Sequence, residues 1–180
     1  MCYNFIFQRR PSYINVATMG RRHLQEIDGL LSPRECQLLL RAAEESGFCR
    51  AHQPGRAPDE VFIENRVLAD RIKNRLREFC GPVEVDARFE IYRYKPGDGI
   101  ATHTDGSRTI RSGLYSNGTL LVYLSEGFPG GSTVFTETNI LIVPVVGRAV
   151  VFSHGVLHRA DTVLAGTKYV ARLDIVLTES

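Results

Sequence analysis

The sequence changes its hydrophobic period once, at Gly81-Pro82, and that change limits the folds open to it. Before it, apolar residues recur at helical spacing. Ser32-Pro33-Arg34-Glu35 reads as a capping box with proline at the first helical position. Cys36, Leu39, Leu40 and Ala43 then fall on one stripe, and Gly47 supplies the stop. A second helix is expected over about 67–80, with Leu68, Ile72, Leu76 and Phe79 on its buried side. Its Arg71, Lys73, Arg75 and Arg77 are interleaved with Asp70 and Glu78, the pattern of a solvated face.

From Val83 onward the chain reads as short β-branched and aromatic runs broken by Gly, Pro, Asn and Asp, which points to an antiparallel sandwich or barrel. Over 83–94, Val83, Val85, Ala87, Phe89 and Ile91 alternate with Glu84, Asp86, Arg88, Glu90, Tyr92 and Tyr94. One continuous strand is expected, its apolar face against the helices and its other face in solvent or lining a wet cavity. The last strand repeats the pattern over 168–177, with Lys168 and Arg172 on its more polar face. Further strands are expected at 120–124, 132–135, 140–143 and 148–152. Residues 106–118, with Arg108, Arg111 and Tyr115, are expected as a long polar loop of the kind that forms a lid or touches substrate.

Composition excludes several classes. At 43% hydrophobic and 23% charged residues the chain is not disordered, and 180 residues give about one domain. We expect an arm over 1–22 and a single domain over 23–180, with helices at about 33–80 and a β core at about 83–178. Twenty-two Lys and Arg against 20 Asp and Glu leave +2, too little to hold nucleic acid as a polyanion. No apolar run approaches the roughly 20 residues that cross a bilayer as a helix. Cysteines 2, 36, 49 and 80 form no CxxC pair and read as reduced thiols of a cytoplasmic protein. The acid-free start, with Arg9, Arg10, Arg21 and Arg22, gives a mitochondrial address only a minor place, because Phe5, Ile6 and Phe7 cluster instead of lying at helical spacing. Oligomeric state is not legible; a monomer is the working expectation.

Chemistry centres on His103-Thr104-Asp105. In an extended segment residues i and i+2 point the same way, so the imidazole and the carboxylate can meet one metal ion. A lone HxD is also common in surface turns. A third ligand would come from His154 or His158, both just after the apolar run 148–152. Either completes a two-histidine, one-carboxylate set that leaves positions open, which suits non-haem Fe(II). Zinc is the weaker choice, since no general base is evident nearby. The plain structural alternative, a hydrogen-bonded histidine at a strand end, is favoured for His154.

Several segments then fall in order: Tyr92-Arg93-Tyr94-Lys95-Pro96-Gly97, His103-Thr104-Asp105-Gly106-Ser107, Leu121-Val122-Tyr123-Leu124, Gly130-Gly131-Ser132-Thr133, the run Pro144 to Phe152, His158, and Gly166-Thr167-Lys168-Tyr169-Val170 with Arg172. Together they resemble the 2-oxoglutarate- and Fe(II)-dependent dioxygenases, specifically the prolyl 4-hydroxylase-like branch, over about residues 24–177. The resemblance implies a mainly β, α+β fold: a double-stranded β-helix, or jelly-roll, core with N-terminal helices on one sheet. It implies His103, Asp105 and His158 as the Fe(II) ligands. Lys168 would hold the distal carboxylate of 2-oxoglutarate, with Arg172 able to take or share that role. Tyr94 and Tyr123 would be hydroxyl donors near the co-substrate, with Tyr92 a weaker alternative to Tyr94.

The implied reaction consumes O₂, with ascorbate as a reductant, and hydroxylates a C–H bond with release of succinate and CO₂. Asp105 itself favours hydroxylation, because halogenating relatives lack that carboxylate. The implied substrate is a prolyl residue in a peptide or protein, or an amino-acid-derived molecule, met at the 106–118 loop with Arg108, Arg111 and Arg159 as candidate contacts. The alternatives are a nucleic-acid demethylase, whose late arginine pair is not matched here, and a metal-bearing jelly-roll binding module without turnover.

Overall fold

The computed structural model describes residues 13–19, 22–50 and 57–178. The chain begins with β1 (Tyr13–Met19) and β2 (Arg22–Ile27), then α1 (Pro33–Ser46), β3 (Cys49–Arg50), β4 (Asp59–Glu64) and α2 (Arg66–Cys80). There follow β5 (Val83–Val85), β6 (Arg88–Tyr94), β7 (Ile100–His103), β8 (Thr109–Arg111), β9 (Leu114–Tyr115) and β10 (Gly118–Tyr123). The last elements are β11 (Thr133–Phe135), β12 (Ile140–Ile142), β13 (Ala149–Ser153), β14 (His158–Ala160) and β15 (Lys168–Leu177).

Helix α1 forms where its caps say it should. The Ser32 hydroxyl accepts from the Glu35 N–H while the Glu35 carboxylate accepts from the Ser32 N–H, satisfying two donors that the first turn leaves unpaired. The same carboxylate takes a two-pronged ion pair from Arg75 of α2, and Arg75 also donates to the Leu30 carbonyl, so one guanidinium ties both helices and the preceding turn. Helix α2 opens on Asn65, whose side chain accepts from the Leu68 N–H. Cys36, Leu39 and Ala43 of α1 and Leu68, Ala69, Ile72 and Leu76 of α2 are buried in one cluster with Val85, Phe89, Ile91, Leu173 and Ile175 of the sheet. Each large aliphatic in it contributes about 2 kcal/mol over its exposed state.

The large sheet has the order β1-β2-β13-β10-β15-β6-β4-β3, with β5 pairing the far end of β15. A smaller sheet runs β12-β11-β14-β7. The two face each other across a second core in which Tyr94, Tyr123, Phe152 and Val170 of the large sheet meet Phe135 and Ile142 of the small one. This is the expected α+β arrangement, a jelly-roll core with helices on one sheet. Gly147 joins the layers at a point that admits no side chain: its φ is +80°, and a Cβ there would lie 2.0 Å from the Leu31 carbonyl oxygen.

The structure differs from the sequence expectations in several places, the short strands β2, β3 and β14 among them. The strand expected over 83–94 breaks at Asp86-Ala87, because the Ala87 carbonyl accepts from the Asn65 N–H at the start of α2 and the Asp86 N–H donates to Asp174. Strand β4 was not expected and pairs with β6. The polar stretch 106–118 carries the hairpin β8–β9, closed by Ser107 donating to the Ser116 carbonyl and by the Arg108 N–H donating to the Ser116 hydroxyl. Residues 13–19, expected within an arm, form β1 against β2, while 1–12 and Cys2 lie outside the described residues. Cys36, Cys49 and Cys80 are free thiols. Among the described residues no helix is long and apolar enough to cross a membrane.

Candidate metal and co-substrate site

A cavity of about 300 Å³ opens between the two sheets. His103 ends β7 and His158 begins β14, and these strands pair antiparallel with the two residues directly opposed. Their ring centroids are 4.3 Å apart. Two residues beyond His103, the Asp105 N–H donates to the His154 carbonyl, which turns the carboxylate inward. Ligand atoms of His103, Asp105 and His158 all lie within 4.8 Å of one another.

The second nitrogen of each histidine is already engaged. His103 Nδ1 is 2.8 Å from the Ala101 carbonyl oxygen and His158 Nδ1 is 3.0 Å from that of Val156. A carbonyl only accepts, so both Nδ1 atoms carry a proton, and in the neutral ring Nε2 has a free lone pair for a metal. Burial lowers the pKa of His158, outweighing the pull of Asp105, and so holds it neutral. Asp105, 3.6 Å from His103 Nε2, raises the pKa of His103. Burial would raise Asp105 itself, but His103, the Arg172 charge and the Thr119 hydroxyl together hold its carboxyl well below the usual range. With the His103 Nε2 proton displaced by a cation, two imidazole nitrogens and one ionised oxygen on one side of a cavity fit a ferrous ion with open positions.

Deeper in, Lys168 starts β15 opposite Tyr94, is 1% exposed, and points its Nζ over the Tyr94 ring at 4.6 Å and towards that of Tyr123 at 5.9 Å. No carboxylate pairs with it among the described residues. Burial pushes its pKa down to about 7, opposed only by the charge of Asp161. Gly131 lies against its stem: a Cβ there would sit 3.2 Å from Lys168 Cδ and 2.9 Å from the Phe128 ring. Tyr94 lines the cavity, but the Tyr123 hydroxyl donates to Thr133 at 2.7 Å, so Tyr123 reaches the cavity only through Thr133. Burial raises both phenols above their ordinary range, keeping them protonated.

Arg172 lies four residues along the same strand, about 13 Å from Lys168 at ordinary strand rise. It contacts Glu90, Asp174 and Asp105 Oδ2, the oxygen turned away from His103. Burial works against its charge, but those three carboxylates raise its pKa. His154, the other candidate third ligand, is outside the ligand group, with Nε2 3.6 Å from Asp174. Of the arginines read as substrate contacts, Arg108 and Arg159 line the cavity, while Arg111 does not and is exposed beside Glu84. The sequence reading passed over Glu90, Thr119, Thr133 and Asp174 as site residues. Glu90 and Asp174 were visible as charges on faces shared with Tyr92 and Arg172.

A family model described as "Poxvirus C4/C10 protein" matches residues 58–180, more than half of the chain. The chain belongs to this poxvirus family. A putative prolyl 4-hydroxylase of Acanthamoeba polyphaga mimivirus is 26% identical to this C4/C10-family chain, covering 82% of it and 71% of the relative. The crystal structure of a viral collagen prolyl hydroxylase from Paramecium Bursaria Chlorella virus-1, in a 2-oxoglutarate complex, superposes with a TM-score of 0.69 at 25% identity. That match covers 87% of this chain and 96% of the other. A Trichoplax adhaerens prolyl hydroxylase, solved with a hypoxia inducible factor peptide fragment, shares the fold at TM-score 0.64 and 17% identity, with 86% and 83% covered. The C4/C10-family chain is thus a prolyl hydroxylase-like 2-oxoglutarate/Fe(II) oxygenase, an oxidoreductase by class, as the sequence resemblance implied.

Proposed function

We propose that the chain is a dioxygenase that hydroxylates a C–H bond of a prolyl residue in a peptide, or of an amino-acid-derived substrate, with release of succinate and CO₂. The observation that carries this reading is the convergence of His103, Asp105 and His158 on one point beside a buried lysine that pairs with no carboxylate among the described residues. Fe(II) and 2-oxoglutarate, when bound, supply the oxidising power for O₂ chemistry, and ascorbate would keep the metal ferrous.

The chain's own residues bind, orient and exclude water. His103 and His158 offer Nε2 because their Nδ1 protons are committed to carbonyls, and Asp105 adds the one negative charge. Lys168 anchors the distal carboxylate, since its charge has no carboxylate partner among the described residues, whereas that of Arg172 is already matched by three acids. Tyr94 and Thr133 line the slot between Lys168 and the metal side and donate hydroxyls there; Tyr123 fixes the Thr133 hydroxyl from behind. Substrate approaches past Ser107, Arg108 and Arg159, with the β8–β9 hairpin at the rim. The three free thiols agree with a reducing, cytoplasmic setting.

The deciding experiment is succinate release from 2-oxoglutarate with Fe(II) under air, with His103→Ala and Asp105→Ala as controls. Wild type should turn over slowly without substrate, and both variants should not. Equal release from all three would overturn the reading. Screening proline-containing peptides, amino acids and methylated oligonucleotides by mass spectrometry then assigns the substrate: a gain of one oxygen on a peptide or amino acid supports the proposal, and loss of a methyl group from a nucleic acid overturns it.

A further inference from the structure

Asp105 has two oxygens, and its surroundings make them unequal. Oδ2 accepts from the Thr119 hydroxyl and lies 3.5 Å from Arg172 Nε. Oδ1 lies 3.6 Å from His103 Nε2. Both histidines belong to the small sheet, but Thr119 and Arg172 belong to the large one. The carboxylate is therefore the ligand tied across the barrel.

Strand register puts the tie in place. On β15, Asp174 stands opposite Thr119 of β10, and Arg172 stands between Leu121 of β10 and Glu90 of β6. The guanidinium plane is fixed from its far side. Nη1 donates to Glu90 at 3.1 Å and to Asp174 at 3.3 Å, and Nη2 donates to Asp174 at 3.2 Å, which leaves Nε aimed at Asp105. Arg108, three residues after Asp105, donates to Glu90 at 3.2 Å as well. Two arginines against Glu90 and Asp174 balance in charge, so the cluster fixes the direction from which the Arg172 charge meets Asp105. A lysine could supply the charge at 172 but not the planar fork that sets the direction.

We propose that Thr119 and Arg172 are positioning residues that select the oxygen Asp105 offers to the metal. By occupying Oδ2 they leave Oδ1 to face the two Nε2 atoms, so the carboxylate takes one coordination position and not two. This rests on the reading of His103, Asp105 and His158 as metal ligands.

The test is Mn(II) binding to the full chain, read from the free-ion electron paramagnetic resonance signal, for wild type, Thr119→Val, Thr119→Ser and Arg172→Lys. Thr119→Val and Arg172→Lys should weaken binding about 10–100-fold, the usual effect of removing a partner that orients a ligand. Thr119→Ser keeps the hydroxyl and should bind within about threefold of wild type. At saturating Co(II), the visible absorption band of Thr119→Val should move away from the one that wild type and Thr119→Ser share, since the second oxygen is released. Melting of all four by circular dichroism separates binding from folding; should Arg172→Lys not fold, the Thr119 pair decides alone. Wild-type affinity and spectrum in Thr119→Val, or equal losses in Thr119→Ser and Thr119→Val, would overturn the inference. A wild type that holds no Mn(II) at all would instead remove the metal site on which it stands.

Discussion

His103 and His158 are direct cross-strand neighbours, one closing β7 and the other opening β14, with ring centroids 4.3 Å apart. Neither imidazole can be charged without facing the other, and a metal ion relieves both by taking their lone pairs. Metal should therefore stabilise the fold. At a Mn(II) concentration a hundred times the dissociation constant, linkage adds about 2.7 kcal/mol, a rise in Tm of about 5–10 °C for a chain of this size. Thermal scanning with and without Mn(II) checks it. His158→Ala should melt at one temperature in both conditions; a rise equal to wild type would show that the ion binds elsewhere.

With Lys168 in its proposed role, co-substrate binding should depend on pH. Tyr94 and Tyr123, both uncharged, and the more distant Asp161 are the titratable groups that act on it, and its pKa stands at about 7. A dicarboxylate needs the ammonium form, so above pH 7 binding must take up a proton. The affinity for 2-oxoglutarate should fall as pH rises from 7 towards 9. Titration calorimetry at pH 8 should give heats that differ between phosphate and Tris in proportion to buffer ionisation. Identical heats would show that the lysine is already charged.

The same burial gives a stability effect of opposite benefit. The lysine's folded pKa, about 7, lies below its unfolded value of about 10.4, so the unfolded chain binds the extra proton between them. Stability should rise with pH over that window. Lys168→Met removes the penalty: it should melt no lower than wild type at pH 7 while losing at least tenfold in 2-oxoglutarate affinity. A large drop in Tm would show that the ammonium is itself a structural group.

Far from the cavity, Glu35 closes the N-terminus of α1 and receives Arg75 of α2. Glu35→Ala should cost about 1–2 kcal/mol in urea denaturation and leave Mn(II) binding unchanged. Burial opposes ionisation of this carboxyl, but Arg75 and Ser32 bring its pKa down to about 2, below its ordinary 4.5. Its contribution is thus complete above about pH 4.5 and is lost as pH falls towards 2. The difference in stability between wild type and variant should shrink over that range.

Tyr123→Phe separates a supporting hydroxyl from a cavity-lining one. It removes one buried hydrogen bond, worth about 1 kcal/mol, and leaves the Thr133 hydroxyl in place. We expect 2-oxoglutarate affinity within about threefold of wild type, against a larger loss for Thr133→Val, both read by calorimetry. The reverse order would make Tyr123 the direct contact.

How much of this was legible in the chain depends on how far apart the partners lie. The caps of α1 and the alternation of β15 are local patterns, and both were read correctly. His103 and Asp105 are two residues apart in an extended segment and could be paired on sight. The third candidate ligand stayed open between two histidines because its position depends on a turn. His154 follows β13 at once and points towards Asp174. A turn in which the Val156 N–H donates to Ser153 then reverses the chain and brings His158 against β7. The acids around Arg172 were visible only as polar positions, since Glu90 is 82 residues away along the chain. Strands β4 and β8–β9 were missed for a related reason: β4 has only Val61, Phe62 and Ile63 between acids and is held extended by β6, and the polar β8–β9 by Ser107 and Ser116.

The four-residue interval between Lys168 and Arg172 turns β15 into a ruler. Its gradations are peptide units, so the backbone span is fixed between the position proposed to grip a carboxylate and the one proposed to steady the ligand set. Diacids one carbon shorter or longer than 2-oxoglutarate would meet that fixed scale, whereas new substrates could be accommodated by redrawing the rim without touching it.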